Sequence, residues 1–198
     1  MARSPEPPQS PDTMTPAQLE RRARLLDAVV ALVADGVDDE LQMKDIADRA
    51  GVALGTVYRY FSSKDHLVAA ALFEWASTLD AKVARRPLPD GPPALRLAAV
   101  LRQALRAYQR QPAFARLLVM VANSNDPFAS ECYGELGTVV FRTLGSAIPD
   151  VDADVRGRVL QVVGAVWYHC LVEWTMGRMT IADVNRTLES TCTLLLPG

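Results

Sequence analysis

Between positions 41 and 67 the chain reads LQMKDIADRAGVALGTVYRYFSSKDHL, and this stretch holds the side chains with the most definite chemistry. Within 53–60, Arg59 alone carries a planar fork of donors, the group that makes a bidentate contact to a guanine edge and supplies about 1–3 kcal/mol of base discrimination. Leu54, Thr56 and Tyr58 share its face of a helix, while Ala53 and Gly55 are small enough to let a backbone come close to a major groove. Tyr58, Tyr60 and Lys64 suit phosphate oxygens. So do Gln42 and Lys44, with Met43 between them a further candidate at a helix start where backbone amides also face outward. The residues of catalysis are missing by contrast. There are two histidines, His66 and His169, no HExxH, Walker loop, GxGxxG or nucleophile elbow, and the paired carboxylates fall in surface runs. No catalytic residue, cofactor or metal is expected, and the chain does not read as an enzyme.

Presenting Arg59 to a groove requires two short helices that meet across a tight turn. Such a turn needs a small residue where the backbones approach, a residue tolerant of positive φ, and apolar side chains on the buried face only. Ala47 is the small residue and Gly51 the turn; Ile46, Ala50, Val52 and Val57 form the seam, leaving Lys44, Asp45, Arg49, Thr56 and Arg59 outward. The spacing is that of a helix-turn-helix, with its second helix at about 53–60.

A first helix precedes it. Thr15, Pro16 and Gln18 have the order of a capping box, and apolar residues then recur at helical spacing from Leu19 to Val33, ending at Gly36. Ser62 and Asp65 have the spacing of a second capping box, opening the helix after the motif. Beyond it, prolines 87, 89, 92 and 93 make a linker, and prolines 112, 127 and 149 each fall where an apolar periodic segment begins afresh. The helices so implied run over 63–84, 93–110, 112–123, 127–147, 152–178 and 180–195. No segment shows sustained period-2 alternation, so the fold expected is all-α.

Composition bounds the reading without identifying it. The chain has 198 residues, is 49% hydrophobic, and carries 21 Lys+Arg against 23 Asp+Glu, so it buries a real core and has no global charge that favours nucleic acid. Residues 1–65 hold 8 basic and 11 acidic residues, but 41–64 holds Lys44, Arg49, Arg59 and Lys64 against Asp45 and Asp48 only. Arg21, Arg22 and Arg24 add a second basic cluster, and the acidic run Asp35, Asp38, Asp39, Glu40 must face away from phosphate. Cys132, Cys170 and Cys192 are odd in number and form no CxxC pair, which fits buried thiols in a reducing cytoplasm. The first 14 residues, with four prolines, have neither the charge nor the apolar run of a signal peptide. The longest uncharged apolar stretch, 159–172, is too short to span a membrane. A cytoplasmic location is expected.

The residues 51–67, GVALGTVYRYFSSKDHL, match every fixed place of the segment G-V-x-x-G-T-x-Y-x-Y-F-x-S-K-x-x-L, and through it the chain resembles the TetR family of transcriptional repressors. With the later VWYHCLVEWTMGRMTIADV it is most similar to the actinobacterial steroid-catabolism repressors. Where many relatives carry Thr or Ser at the cap of the second helix, this chain has Gln42. The Pro-rich residues 1–14 read as a disordered tail, and the resemblance implies a three-helix DNA-binding domain at 15–62 and a larger helical domain for effector binding and dimerisation at 63–198. It also implies a small-molecule pocket, for which Tyr108, Phe114, Leu117, Met120, Phe128, Phe141, Trp167, Leu171 and Trp174 are candidate lining residues. The segment 152–178 is apolar on nearly all sides in its middle, which fits a helix closing its own core on one face and a two-fold partner on the other. His169 and Glu173, four apart, have the spacing to pair, to anchor a ligand's polar group, or to lie at the dimer surface. The function this predicts is a homodimeric repressor of a palindromic double-stranded operator, released by a small hydrophobic effector such as a steroid or fatty acyl-CoA, with no membrane partner. The competing readings are a helical protein-interaction module without specific DNA binding and a TetR-like regulator of drug efflux.

Overall fold

Proline placement decides where four of the helices begin. Its fixed φ suits the first helical position and its missing N–H costs nothing there. Pro16, Pro93, Pro112 and Pro127 are the first residues of α1 (Pro16–Ala34), α5 (Pro93–Arg110), α6 (Pro112–Ala122) and α7 (Pro127–Ser146). The other helices are α2 (Met43–Ala50), α3 (Leu54–Tyr60), α4 (Lys64–Ala84), α8 (Ala153–Thr175) and α9 (Ile181–Leu195). The computed structural model describes residues 8–37, 41–85 and 87–197, and the described residues contain no strand. The all-α expectation holds, and the helix ends fall within a few residues of those read from the sequence.

Packing divides the chain into two compact units. The first takes the described residues up to Trp75 together with Met120–Glu135; the second takes Ala76–Val119 and the described residues from Leu136 on. In the first unit α1 packs on α2 and α2 on α3, closing over Leu25, Val29, Ile46, Ala47, Val57 and Phe61, each essentially inaccessible to solvent. Gly51 ends α2 in the left-handed region at φ 65°, and the Val52 amide donates back to the Ala47 carbonyl at 3.0 Å. The turn that aims α3 therefore depends on a residue without a Cβ. At the start of α1 the Thr15 amide donates to Gln18 Oε1 at 2.8 Å, as the capping pattern predicts.

The Pro-rich segment, expected to be a solvated tail, is described from Pro8 and lies on this unit. A 3₁₀ turn at Pro11–Thr13 buries Met14, Gln9 pairs with Gln18, and the Gln9 amide donates to the Arg59 carbonyl at 3.1 Å. Residues 1–7, and Asp38, Asp39 and Glu40 of the acidic run, lie outside the described residues. Asp35 of that run pairs with Arg49 at 3.2 Å.

In the second unit α9 packs against both α5 and α8. Arg96 gathers the α7–α8 corner, donating to the carbonyls of Ala147 and Gly91 at 2.8 and 2.7 Å and to the Asp150 carboxylate. Asp152 caps α8 through the amides of Asp154 and Val155, and Thr180 caps α9 through that of Asp183. Among the described residues no helix is long and apolar enough to cross a membrane.

Two glycines in the first unit make opposite predictions. Neither Gly51 nor Gly55 has any atom within 4 Å of an added Cβ, so backbone conformation alone decides. Gly51→Ala forces an L-residue into the left-handed region and should cost about 1–2 kcal/mol. Gly55, inside α3 with ordinary helical geometry, should gain up to about 1 kcal/mol on change to Ala. Urea midpoints at unchanged m-value, read for both variants, check the two signs.

Candidate nucleic-acid interface and effector cavity

The helical period sorts the residues of α3. Val57 and Tyr60, three apart, are buried, while Leu54, Tyr58 and Arg59 are exposed, Tyr58 to 53%. Ala53 and Gly55 are also exposed and Thr56 is half-buried. At the start of α2, Gln42 and Lys44 are exposed and the Gln42 side chain makes no capping bond. Lys64, at the first position of α4, is half-buried. Two of the sequence-derived contacts need correction. Tyr60 is only 2% exposed and its hydroxyl accepts from Arg21 Nε at 3.4 Å, so it builds the core and leaves Tyr58 as the phenol facing outward. Met43 is buried as well, so its side chain belongs to the core. What the first unit gathers is a surface of Gln42, Lys44, Ala53, Leu54, Gly55, Tyr58 and Arg59. The empty space beside Gly55 is its most telling feature, since nothing inside the fold requires a glycine there.

After α3 the chain enters a polar cluster that the sequence did not disclose. The capping residue of α4 is Ser63, whose Oγ accepts from the His66 amide at 3.1 Å, and the expected Ser62–Asp65 box does not form. Ser62 and Asp65 are engaged elsewhere. The Ser62 hydroxyl donates to Asp126 Oδ2 at 2.9 Å, and the Ser124 hydroxyl donates to Asp65 Oδ2 at 2.5 Å. Asp126 in turn caps α7, accepting from the amides of Phe128 and Ala129 at 2.9 and 3.0 Å. Burial raises the Asp126 pKa, but hydrogen bonds from Ser63, Ala129, Ser62 and Phe128 outweigh it and hold the carboxyl below its ordinary value. His66 is buried between rings, edge-on to Phe61 at 5.1 Å and stacked with Phe128 at 5.3 Å. Its Nδ1 accepts from the Ser62 amide at 3.2 Å, which puts the proton of the neutral ring on Nε2. Burial lowers the His66 pKa to about 4, with Asp126 opposing and Arg22 assisting.

The second unit contains a cavity of about 90 Å³. Leu79, Asp80 and Val83 come to it from α4, Val100, Leu101, Ala104 and Tyr108 from α5, Val140, Phe141 and Leu144 from α7, and Gly164 and Trp167 from α8. Tyr108 and Trp167 meet edge to face with centroids 5.9 Å apart. Of the nine lining residues proposed from sequence, Tyr108, Phe141 and Trp167 are brought together here. Phe114, Leu117 and Leu171 are buried core residues outside the lining, and Trp174 is half-buried away from it. Met120 and Phe128 belong to the first unit, where Phe128 is occupied with His66. Apolar periodicity shows which side chains are buried; it does not show which of them border a void. Sequence reading also passed over Asp80, whose Oδ1 is buried without a hydrogen-bond partner while Oδ2 lies 3.6 Å from the exposed Arg142.

On α8 the burial divides as the all-round apolar pattern predicts. Val159, Leu160, Val163, Cys170 and Leu171 are buried, while Val155 and Val162 are exposed, as are Met176 after the helix and Leu194 on α9. His169 is exposed and acts on Glu173 only through its charge, while Arg178 makes the hydrogen bonds to that carboxylate. Gly177, at φ 71°, turns the chain so that Arg178 makes two 2.7 Å bonds to the Glu173 carboxylate, which lower its pKa. All three cysteines are free thiols; burial pushes Cys132 and Cys192 up to about 11 and raises Cys170. None has the character of a nucleophile.

Comparison with known proteins gives the same two regions. The family described as "Bacterial regulatory proteins, tetR family" matches residues 25–71, and that described as "Tetracyclin repressor-like, C-terminal domain" matches 92–195. The HTH-type transcriptional repressor KstR of Rhodococcus jostii (strain RHA1) is 36% identical over 93% of this chain and 87% of its own length. KstR of Mycobacterium tuberculosis (strain ATCC 25618 / H37Rv) is 34% identical over 91% of this chain and 82% of its own. Among solved structures, a TetR transcriptional regulator from Rhodococcus sp. RHA1 has a TM-score of 0.80 at 26% identity, covering 92% of this chain and 98% of that one. Thermus thermophilus FadR, in complex with lauroyl-CoA, shares the fold at a TM-score of 0.68 and 20% identity, covering 88% and 92%.

Burial of neutral His66 gives the stability a pH dependence. The unfolded histidine takes up a proton near its ordinary value of 6.5 and the folded one only near 4. Stability is therefore fully present above pH 6.5 and falls by up to about 3 kcal/mol as pH drops through this interval. His66→Asn, which keeps an acceptor for the Ser62 amide, should flatten that slope in urea unfolding at pH 7, 6, 5 and 4.5.

Proposed function

The chain belongs to the tetR family of bacterial regulatory proteins, and from that premise we propose that it is a repressor that holds a palindromic operator as a homodimer until a hydrophobic effector enters the cavity of its second unit. It is a transcriptional regulator and not an enzyme. The observation that carries the DNA-binding reading is the outward face of α3. Tyr58 and Arg59 are exposed beside a glycine that no internal contact explains. Arg59 reads a guanine, Tyr58 and Lys44 bind phosphate, and Gly55 lets the helix backbone sit close to the groove floor.

Two-fold pairing puts two such helices about 34–36 Å apart, one duplex turn. The exposed Val155, Val162, Met176 and Leu194 support pairing through α8 and α9. Each subunit offers few basic groups to phosphate, so one half-site alone binds weakly and both are needed. The protein works where the chromosome is, in the cytoplasm.

The apolar lining supports a steroid or a fatty acyl-CoA thioester as effector. At about 90 Å³ the cavity is far smaller than the ~300–1,000 Å³ of pockets that hold such ligands, so binding must spread its walls. One wall is the α4 segment carrying Leu79, Asp80 and Val83, and the same helix begins at the Ser63–His66 cap. An effector that binds only the widened state draws α4 with it and depopulates the DNA-binding arrangement, to the extent of its differential affinity.

On DNA from the region upstream of its own gene, Arg59→Ala and Tyr58→Ala should each lose sequence-specific binding in a gel shift, Arg59→Ala by roughly 5- to 150-fold. Gly55→Ala should weaken binding while stabilising the fold. Wild-type affinity should fall steeply with salt. Unaltered operator binding by Arg59→Ala would remove α3 as the reading element.

A further inference from the structure

Asp80 is the one charged side chain among the residues lining the second unit's cavity. Its surroundings are apolar: Leu79 and Val83 on its own helix, with Val100, Leu101 and Val140 among the walls. The Oδ1 atom is shut off from solvent and accepts no hydrogen bond. A buried carboxylate oxygen in that condition is costly, and buried polar groups left unsatisfied are uncommon enough to need a reason. The ion pair does not supply one. Arg142 reaches Oδ2, at 3.6 Å, and is itself largely exposed. Nor does Thr143, the hydroxyl nearby in the lining, whose hydrogen goes to the Val139 carbonyl at 3.2 Å.

Taking the cavity as the effector site proposed above, we infer that Asp80 is its selectivity group, reserving Oδ1 for a hydrogen-bond donor on the effector. An apolar molecule that brings a hydroxyl or ammonium hydrogen to this oxygen satisfies it. A molecule of the same shape with only acceptors leaves it unpaired, and an anion meets a like charge in a dry wall. This distinguishes the two effector classes. A hydroxylated steroid offers a donor on a compact apolar frame, whereas an acyl chain and the thioester group itself offer none, the donors of the coenzyme lying beyond the apolar part. The effector class is thus an alicyclic alcohol, or an amine of similar shape, in preference to a ketone, thioester or carboxylate.

Three probes of one shape test this: 4-tert-butylcyclohexanol, 4-tert-butylcyclohexanone and 4-tert-butylcyclohexanecarboxylate, titrated while following tryptophan fluorescence, since Trp167 lines the cavity. Wild type should bind the alcohol roughly 10- to 100-fold more tightly than the ketone, the range a hydrogen bond to a charged group allows, and the carboxylate least well. Asp80→Leu should bind alcohol and ketone alike. Asp80→Asn, close in shape and able to donate, should bind the ketone at least as well as the alcohol, and Arg142→Ala should keep the wild-type order. Circular dichroism establishes that each variant folds. Equal binding of alcohol and ketone by wild type, or a preference that survives in Asp80→Leu, overturns the role of Asp80 and leaves the cavity as a binding site. If none of the three binds wild type, the reading of the cavity as a hydrophobic effector site fails and this inference falls with it.

Discussion

The Asp126 carboxylate holds together parts of the chain that share no local structure. One oxygen caps α7 through two amides, and the other takes the Ser62 hydroxyl from 64 residues away. Ser62 also presents its amide to His66, and Ser63 caps α4. The α6–α7 corner and the start of α4, just after α3, are thereby fastened to each other. Charge-assisted bonds of this kind are the stronger ones, and here they are partly shielded from water. The Ser124–Asp65 bond and the His66–Phe128 stack lie beside them.

Charge illustrates how little a chain-wide sum says about a surface. A net of −2 seems to argue against DNA. Several charges are spent internally: Arg49 on Asp35, Arg21 on the Tyr60 hydroxyl, and Arg22 over the Phe61 ring at 5.3 Å. What remains outward near α3 is a short set, Lys44 and Arg59 with Tyr58. A sparse positive surface of this kind fits a protein whose affinity comes from two subunits acting on one duplex.

The second unit answers a different demand. It must keep a void inside a helical body without collapsing, and rigid aromatic edges serve that end, as at Tyr108 and Trp167. A carboxylate in the wall is poor design for stability and good design for recognition, because its deficit is made good only by the right partner. The apolar residues left exposed on α8 and α9, Val155, Val162 and Leu194, are those on which the proposed pairing of two copies rests.

Much of this was legible in the order of residues, for reasons that are local. Proline fixes a helix start where it stands at the first helical position, so α5, α6 and α7 could be placed to within a residue or two. Gly51 and the Ile46–Val57 seam specify the helix-turn-helix, because a positive φ and a two-sided apolar contact leave few substitutes. Which tyrosine of the Tyr-x-Tyr pair faces out, which serine caps α4, which apolar residues border a void, and that Asp80 Oδ1 is left without a hydrogen-bond partner were decided only by the tertiary structure. Each depends on what lies opposite the residue in space, and for Ser62 and Asp80 that neighbour stands more than sixty residues away in sequence.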